Sequence, residues 1–356
     1  MKLRHIIRIA AAAGALALWG GCARIDAPEP DGNHTIGFSA GAQLLKDDVP
    51  TKAGTFKEGD FEVGDKIAVY GRRHGNNQTT DVFNGTIVEK KSASVWEYTP
   101  LKAWYWISVG DYYDFLGVHP TGKGTSRMNI PGNLAIQTYY SISSSNYDLM
   151  YAIYRRYGSD IDRISAVPLT FSHALSAVSI VFDNDSNTQE ITVNSYEFTN
   201  MIVEAYAKAT LDAIGEPEIL WINTVRNGDA IRRVEPNATL TGKNLSGNHS
   251  YTGAFDFLIP TALDAASNGV ANDEEHMPRL VVNFTPTGQS AIETSILLKD
   301  IQRDPLNGDT TPVDVWEPGK RYTYHVNIRM DGGVKIYVIT TEWDIIYAET
   351  PGVMID

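Results

Sequence analysis

The sequence has almost no cysteine, because Cys22 is the single one among 356 residues. A lone cysteine excludes an intramolecular disulfide and a cysteine-ligated zinc site, so packing must hold the folded chain together. The eight histidines never occur at the H-x₃-H spacing, and the metalloprotease motif H-E-x-x-H is absent. The sequence therefore gives no support to a zinc protease, and we predict no enzyme, no cofactor and no metal site.

Positive charge and long apolar runs are also scarce. The chain has 30 Lys and Arg residues against 43 Asp and Glu, which gives a net charge of -13. Because phosphate groups bind to clustered positive charge, this balance argues against a nucleic-acid partner. Beyond residue 21, no apolar stretch reaches the roughly twenty residues that a membrane-spanning helix needs. Any attachment to a membrane would therefore depend on a lipid.

The first 21 residues have the pattern of a secretory signal peptide. Lys2, Arg4 and Arg8 precede an uncharged apolar run, and two glycines stand directly before Cys22. This arrangement predicts a lipoprotein signal over residues 1–21 and acylation of Cys22 as the first mature residue. The alternative is that Cys22 is an ordinary residue of a cleaved leader. Residues 22–33, rich in proline and acidic side chains, are predicted to be a tether that holds a folded body away from a membrane.

Short runs of alternating apolar and polar residues, separated by Gly, Asn, Asp and Pro, fill the rest of the chain. Alternation with a period of two predicts β-strands. We count some fourteen candidates, the longest being VPLTFSHALSAVSIVF (167–182). The pattern predicts an all-β chain of two antiparallel β-sandwiches in series, residues 34–163 and 164–356, with the polar stretch GSDIDRIS at the boundary.

A few short motifs are similar to functional sites, and each has a plainer interpretation. His173 lies inside a predicted strand, where a hydrogen-bonded structural imidazole is favoured over a catalytic base. DNDSNTQE (183–190) begins like a calcium loop, but Thr188 stands at the turn glycine, so a solvated turn is favoured. TGKGTSR (121–127) lacks the P-loop spacing and is predicted to be a surface loop. Paired glycosidase carboxylates stay open, because such partners lie far apart in sequence.

Aromatic residues concentrate in WYW (104–106) and DYYDF (111–115). Exposed rings such as Trp104 or Trp106 could stack on sugar rings. In consecutive strand positions, however, the side chains point to both faces, as in a strand that is buried on one side and covered by a loop on the other. We favour core packing and keep a glycan-binding surface as the alternative.

Several stretches carry a family resemblance when they are taken together. They are FKEGDFEVGDKIAVYG (56–71), WEYTPLKAWYW (96–106) leading to YYDFLGVHP, YDLMYA (147–152), LTFSHALSAVSIVF (169–182) and WEPGKRYTYHVNI (316–328). In this order and spacing, over roughly residues 34 to 347, the chain resembles the fimbrillin-like family of lipoprotein pilins of gut and oral anaerobes, the subunits of type V pili. The resemblance implies two tandem transthyretin-like β-sandwich domains, with the block at 167–182 opening the second.

The resemblance also implies a role in assembly and adhesion. Members of this family are carried as lipoproteins to the outer membrane, are exposed at the surface, and in part polymerise into fimbriae. In the polymerising members, a first strand plugs an apolar groove until a trypsin-like protease cuts after it. Here the candidate plug strand is HTIGFSA, with Ile36, Phe38 and Ala40 on one face.

The cleavage position departs from the family pattern. Polymerising relatives are commonly cut after an arginine, whereas this sequence has no arginine between Arg24 and Arg72. Lys52, and after it Lys46, are the candidate processing sites. This departure raises the prospect of an anchor or tip subunit.

The C-terminal segment VKIYVITTEWDIIYA (334–348) is the candidate donor strand. Val334, Ile336 and Val338 share one face, whereas Trp343, Ile345 and Tyr347 have the opposite parity, so a break near residues 340–342 is predicted. The alternative for this segment is a final pair of core strands.

Two hypotheses follow. The first is a surface-exposed fimbrillin-like lipoprotein that acts as a stalk, tip or anchor subunit. Its partners would be other pilin subunits joined by β-strand addition, the outer membrane through the lipid on Cys22, and a host or bacterial surface ligand. The second is a non-polymerising, glycan-binding surface lipoprotein.

Overall fold

The structure, a computed structural model, describes residues 36–41, 44–47, 56–75, 78–98, 112–157, 166–211, 217–226, 230–266, 270, 273–303, 308–329 and 333–342. Strands dominate these residues, and the only helical elements among them are two short 3₁₀ turns at Glu274–His276 and Leu298–Asp300. No helix in the described part is long and apolar enough to cross a membrane. The predicted all-β class is confirmed.

The strands up to residue 157 are β1 (Phe38–Gly41), β2 (Leu44–Asp47), β3 (Phe56–Gly59), β4 (Lys66–Gly75), β5 (Gln78–Lys90), β6 (Trp96–Tyr98), β7 (Tyr112–His119), β8 (Thr125–Arg127), β9 (Ala135–Ser141) and β10 (Met150–Tyr157).

The strands after residue 165 are β11 (Val167–Thr170), β12 (Ser172–His173), β13 (Ser176–Asn184), β14 (Ile191–Thr199), β15 (Ile202–Leu211), β16 (Pro217–Arg226), β17 (Ala230–Val234), β18 (Ala238–Leu240), β19 (Ser250–Thr252), β20 (Asp256–Leu258), β21 (Thr261–Ala262), β22 (Arg279–Pro286), β23 (Ile292–Leu297), β24 (Val315–Trp316), β25 (Lys320–Ile328) and β26 (Val334–Glu342). The predicted strand at 167–182 is thus three strands, β11 to β13.

An eight-stranded sheet has the order β11-β1-β6-β5-β4-β7-β10-β12. Its two outermost strands, β11 and β12, are separated along the chain only by Phe171, so the sheet must curl until its edges nearly meet. The concave side encloses one apolar cluster, which includes Ile67, Val69, Phe115 and Phe171. This curled sheet forms the seat of the first strand, β1.

A four-stranded sheet, β16-β15-β9-β8, joins residues that lie far apart in sequence. Strand β15 pairs with β9, with Tyr206 opposite Tyr139. On one face, Ala205, Ala207 and Ala209 are almost fully buried in the largest apolar cluster of the described residues. Small side chains let this face pack closely against the convex side of the curled sheet, where Tyr151 donates a hydrogen bond to the carbonyl of Ala207 at 3.2 Å.

Two further sheets, β19-β13-β25-β26 with β20 and β17-β14-β22-β23 with β18, contribute their apolar faces to the same cluster. Trp316 and Tyr324 are fully buried there, and the indole Nε1 of Trp316 donates to the Tyr324 hydroxyl at 2.9 Å. Strand β13 pairs in parallel with β25. Most other pairs are antiparallel, as the alternation predicts.

The predicted boundary between residues 163 and 164 falls outside the described residues. Strands from either side of it share sheets, because β11 and β12 pair with β1 and β10, and β15 pairs with β9. The tandem-domain limits therefore stay a prediction, and they do not coincide with the limits of the sheets.

Candidate functional site

The candidate site is the seat of β1, meaning the position between β6 and β11 that β1 occupies in the curled sheet. The apolar side chains of this segment point to the concave side. Ile36, Phe38 and Ala40 have exposed fractions of 0%, 3% and 8%. Their spacing of two puts them on one face of an extended segment, as the sequence predicts. All three belong to the apolar cluster inside the curled sheet.

Three aromatic rings enclose the side chain of Phe38. Its ring centroid lies 5.2 Å from that of Phe83, 5.8 Å from that of Phe115 and 6.0 Å from that of Tyr98, each in an edge-to-face arrangement. Edge-to-face pairs place the positive edge of one ring against the negative face of another and add to the gain from burial. The three rings therefore form a pocket that is filled by the Phe38 side chain.

Backbone hydrogen bonds hold β1 on both sides. The amide of Val167 donates to the carbonyl of Gly37 at 2.9 Å, and the amide of Phe171 donates to the carbonyl of Gly41 at 3.0 Å. On the other side, Phe38 pairs with Trp96 of β6, and the Tyr98 hydroxyl donates to the carbonyl of Ile36 at 2.9 Å. Strand β1 runs parallel to β11 and antiparallel to β6. Because it lies between them, β6 and β11 would each have an unpaired edge without it.

Phe61, just after β3, makes a second set of buried contacts. The ring of Phe61 lies 5.2 Å from Trp96 and 5.3 Å from Phe171, both edge-to-face. Lys90 is buried and donates to the carbonyl of Phe61 at 2.6 Å. The segment between β1 and Phe61 is therefore bounded at both ends by buried aromatic contacts.

The candidate processing residues belong to the segment between these two contacts. Lys46 lies in β2, opposite Lys57 of the antiparallel strand β3. Lys52 and the candidate lipidation residue Cys22 lie outside the described residues. Their roles stay predictions.

The candidate donor strand is partly described. Val334 and Ile336 are half-buried and Val338 is fully buried, all within β26, the edge strand that pairs antiparallel with β25. The outward amide of Val338 donates to the carbonyl of Gln302 at 3.0 Å, so this edge is partly covered. Trp343, Ile345 and Tyr347 lie outside the described residues.

Some of the other motifs lie among the described residues. His173 Nδ1 and Asp148 Oδ1 lie 2.9 Å apart and both residues are buried, which confirms that the imidazole is hydrogen-bonded inside the fold. In the calcium-like stretch, the carboxylate of Asp185 pairs with the ammonium of Lys243. Trp104 and Trp106 lie outside the described residues.

Strand β7 confirms the prediction of core packing for the aromatic run YYDF. Tyr113 and Phe115 point to the concave cluster, whereas Leu116 and Val118 belong to the larger cluster on the other side. The strand is thus covered on both faces.

Sequence reasoning wrongly took the motif G-x-S-x-G to be absent, whereas it occurs at residues 37–41. In α/β-hydrolases this motif forms a sharp strand-to-helix turn that exposes the serine. Here it runs through β1, and Ser39 has an exposed fraction of 7%. The motif therefore lacks the geometry of a nucleophile elbow.

Sequence reasoning also missed a buried ion cluster at one end of the curled sheet. His74 Nε2 lies 3.0 Å from Asp114 Oδ2, and Arg155 donates to both carboxylate oxygens of Asp114, at 2.6 and 3.1 Å. Burial acts to raise the pKa of Asp114, but the interactions with His74 and Arg155 outweigh it and hold the pKa below its ordinary value. The three residues lie on neighbouring strands β4, β7 and β10, a juxtaposition that appears only once the sheet has formed.

One group of metal-ligand type occurs among the described residues. Carboxylate and imidazole atoms of Asp273, Glu275 and His276 lie within 4.8 Å of one another on a partly exposed 3₁₀ turn. A 2.9 Å contact between His276 Nδ1 and Asp273 Oδ2 accounts for the closeness of two of them. The closeness of Asp273 and His276 is thus explained by a hydrogen bond within the turn.

Comparison with protein families identifies the family of the chain. The model of the family described as fimbrillin-like matches residues 51–343. The chain belongs to the fimbrillin-like family. The match begins after β1, so the plug segment lies just ahead of the matched region. Comparison with curated proteins found no match.

Solved structures of similar architecture include three fimbrial proteins. A fimbrial protein from Bacteroides vulgatus is 15% identical, with a TM-score of 0.54 over 87% of this chain and 100% of that chain. The fimbrilin FimA of Porphyromonas gingivalis is 11% identical, with a TM-score of 0.43 over 87% and 99%. The tip fimbrial protein Mfa3 of Porphyromonas gingivalis, with a C-terminal truncation, is 9% identical, with a TM-score of 0.40 over 86% and 99%. The likeness to the first of these supports the shared all-β fold.

Proposed function

We propose that this fimbrillin-like chain is a surface-exposed structural subunit of a fimbria and serves cell adhesion. Assembly would replace β1 with a strand donated by another subunit. The observation that carries the proposal is the seat of β1, where Ile36, Phe38 and Ala40 are buried between β6 and β11. The names of the fimbrial structures above point the same way.

Removal of β1 would leave a site that favours strand addition. The exposed lining would include Phe83, Phe115 and Leu169, and the backbones of β6 and β11 would each lose a neighbour. A free sheet edge beside an apolar groove binds an extended peptide through backbone hydrogen bonds and alternating side-chain pockets. The register of β1 implies an aliphatic, an aromatic and a small side chain at alternate positions of the incoming strand.

The candidate donor is the C-terminal segment from Val334 to Tyr347. Its first half pairs with β25 and contributes the buried Val338 to the core, so donation would fall to the part that contains Trp343, Ile345 and Tyr347. An anchor or tip subunit would instead keep its own end packed.

A lipid on Cys22 would attach the protein to the outer membrane, with residues 22–33 as the tether. Removal of β1 together with this anchor would require cleavage after β1, at Lys46 or Lys52, since no arginine lies between Arg24 and Arg72. Whether the chain is a stalk, a tip or an anchor depends on that cleavage.

Metabolic labelling tests the anchor. Labelled palmitate should enter the intact wild-type protein, and the Cys22→Ala variant should stay unlabelled and leave the membrane fraction. An unlabelled wild type would remove the lipoprotein part of the proposal.

Limited proteolysis of the intact protein tests assembly. A trypsin-like protease should release the segment before Lys52 or Lys46, and detergent-resistant ladders should then form on a gel. The K46A/K52A variant should not form ladders, whereas K91A, which removes an exposed lysine elsewhere, should assemble like the wild type. A shortened monomer without ladders would contradict a stalk role and favour an anchor or tip.

A further inference from the structure

The four-stranded sheet has an outward face that is unusually apolar for a solvent-facing surface. Strand β15 turns Ala205, Ala207 and Ala209 inward, so Tyr206 and the alternate residues on either side of it face outward. Of the described side chains, Tyr139, Leu220 and Val225 are 40%, 40% and 49% exposed, and all three share this face. Contiguous exposed apolar patches usually mark interaction sites.

The face consists of three cross-strand rows, which we call the tyrosine face. The central row is Tyr139, Tyr206 and Ile222, and the rings of Tyr139 and Tyr206 lie 5.3 Å apart. One flanking row is Ser141, Glu204 and Val225, of which Ser141 is buried, and the other is Gln137, Lys208 and Leu220. Each flanking row thus presents a charged residue of β15 and an exposed apolar residue of β16, in the same order across the sheet.

This order makes the tyrosine face complementary to itself. Consider a two-fold axis that lies parallel to the face, perpendicular to the strands, and passes above Tyr206. Rotation about this axis places the Glu204 row of each copy opposite the Lys208 row of its partner. Glu204 then faces Lys208 and Val225 faces Leu220, while the central rows meet each other. Glu204 and Lys208 each lie two residues from Tyr206, about 7 Å along the strand, so the charges coincide in register.

A rotation about the strand direction would instead set Glu204 against Glu204 and Lys208 against Lys208. Like charges across an interface disfavour that arrangement. Only the antiparallel, face-to-face arrangement pairs opposite charges, and two-fold interfaces of this kind are the commonest among homo-oligomers. The Tyr139 hydroxyl interacts with the Glu204 carboxylate, which keeps that carboxylate beside the central row.

We infer that the tyrosine face binds the same face of a second copy of this chain. The face measures about 15 Å by 15 to 20 Å from ordinary strand spacing and rise, on the order of 200 to 300 Å² per copy. The total falls below the roughly 1,200 Å² of a standard stable interface, so a single contact is weak and reversible. In a fibre, repeated weak contacts between neighbouring subunits would add up to side-by-side association.

The contact needs no strand release, because β1 lies in a different sheet. Its test is therefore independent of the proposed strand exchange. Face-to-face association should be reversible, abolished by detergent and present in uncleaved protein, whereas exchanged strands should give detergent-resistant ladders after cleavage.

Charge reversal in the intact mature protein gives a direct test by sedimentation velocity from about 1 µM to about 1 mM. The wild type should show a concentration-dependent dimer. Glu204→Lys and Lys208→Glu should each stay monomeric across this range. An equimolar mixture of these two variants should associate again, and so should the double variant E204K/K208E.

Matched controls separate this contact from general surface effects. Glu293→Lys reverses an exposed charge on β23 of another sheet, and Ile87→Glu adds a charge at a 43% exposed apolar residue of β5, so both should dimerise like the wild type. Leu220→Glu should not dimerise. Circular dichroism of every variant checks folding. If Leu220→Glu unfolds, Glu204→Lys and Lys208→Glu still test whether the tyrosine face forms the dimer.

A wild type that stays monomeric at about 1 mM would overturn the inference. So would dimers that persist in both single charge variants, which would point to edge pairing through β16 or to another surface. Failure of the mixed variants to associate would contradict the two-fold register even if each single variant is monomeric.

Discussion

At the scale of single residues, Asp114 shows how a buried carboxylate is retained in an apolar sheet. It is 1% exposed, and its two oxygens are shared between Arg155 and His74, while the ring of Tyr112 lies 4.3 Å from His74 and 4.7 Å from the Arg155 guanidinium carbon. A buried charge is tolerated only when it is paired and hydrogen-bonded. The cluster therefore joins the neighbouring strands β4, β7 and β10 through side chains as well as backbone hydrogen bonds.

The lowered pKa of Asp114 predicts a pH dependence of stability. Because its pKa is lower in the folded than in the unfolded state, the unfolded chain binds more protons below about pH 4, and stability falls as the pH falls. The stabilisation should be complete above about pH 4 and be lost as the pH passes through the folded pKa. Urea unfolding between about pH 2 and 6 should show a smaller slope for Asp114→Asn than for the wild type.

Asp183 provides a control of opposite sign. Its pKa is raised, chiefly by burial, so the charged form destabilises the folded state. Asp183→Asn should therefore gain stability relative to the wild type as the pH rises above about 4. Equal pH slopes in the wild type and Asp114→Asn would contradict the assignment of Asp114.

Phe38 gives the second prediction at this scale. Truncation to alanine would leave a cavity between Phe83, Phe115 and Tyr98, and such losses cost about 3 to 5 kcal/mol. Tyr157→Ala, which truncates a 51% exposed ring, should cost less than about 1 kcal/mol. Denaturant unfolding of both variants checks this, and equal losses would show that β1 contributes little to the folded core.

At the scale of elements, β15 and β16 are neighbours with different surroundings. Strand β15 is hydrogen-bonded on both sides, to β9 and to β16, whereas no described strand pairs with the outer edge of β16. Register shifts between Ile202 and Tyr206 bend the pair, and Asn223 adopts a φ of 53° at that irregular part. Such irregularity is a common way to discourage further strands from adding at an edge.

This difference predicts the pattern of amide hydrogen exchange. Amides of β15 should be protected close to the level of global unfolding, because their opening disrupts two strand pairs and the buried alanines. Amides of β16 that point away from β15 should exchange much faster. Exchange measured by mass spectrometry on peptides from 202–211 and 217–226 checks this, and equal protection would indicate that the outer edge of β16 is covered.

At the scale of the whole molecule, the sheets tie the two halves of the chain together. The largest apolar cluster runs from Ala68 to Val338, and β9 and β15 form one sheet across the predicted boundary. Both halves contribute side chains to this one cluster. Cooperative units follow shared cores rather than positions along the chain.

Calorimetry of the mature chain should therefore show one unfolding transition, with equal calorimetric and van't Hoff enthalpies. A fragment of residues 34–163 should fail to fold, because it lacks β11, which pairs with β1, and β15, which pairs with β9. Two separate transitions, or a folded fragment, would show that the halves are independent domains.

The sequence by itself determined the local features of this protein. Alternation specified strands and an all-β class, and the spacing of Ile36, Phe38 and Ala40 specified one apolar face, because side-chain direction in a strand depends only on neighbouring residues. The tertiary structure decided which strands meet. Many alternating strands can pair with one another, and the choice depends on the register and burial of residues far apart in sequence. Hence the partners of β1, the joining of His74 with Asp114 and Arg155, and the tyrosine face appear only in the folded chain.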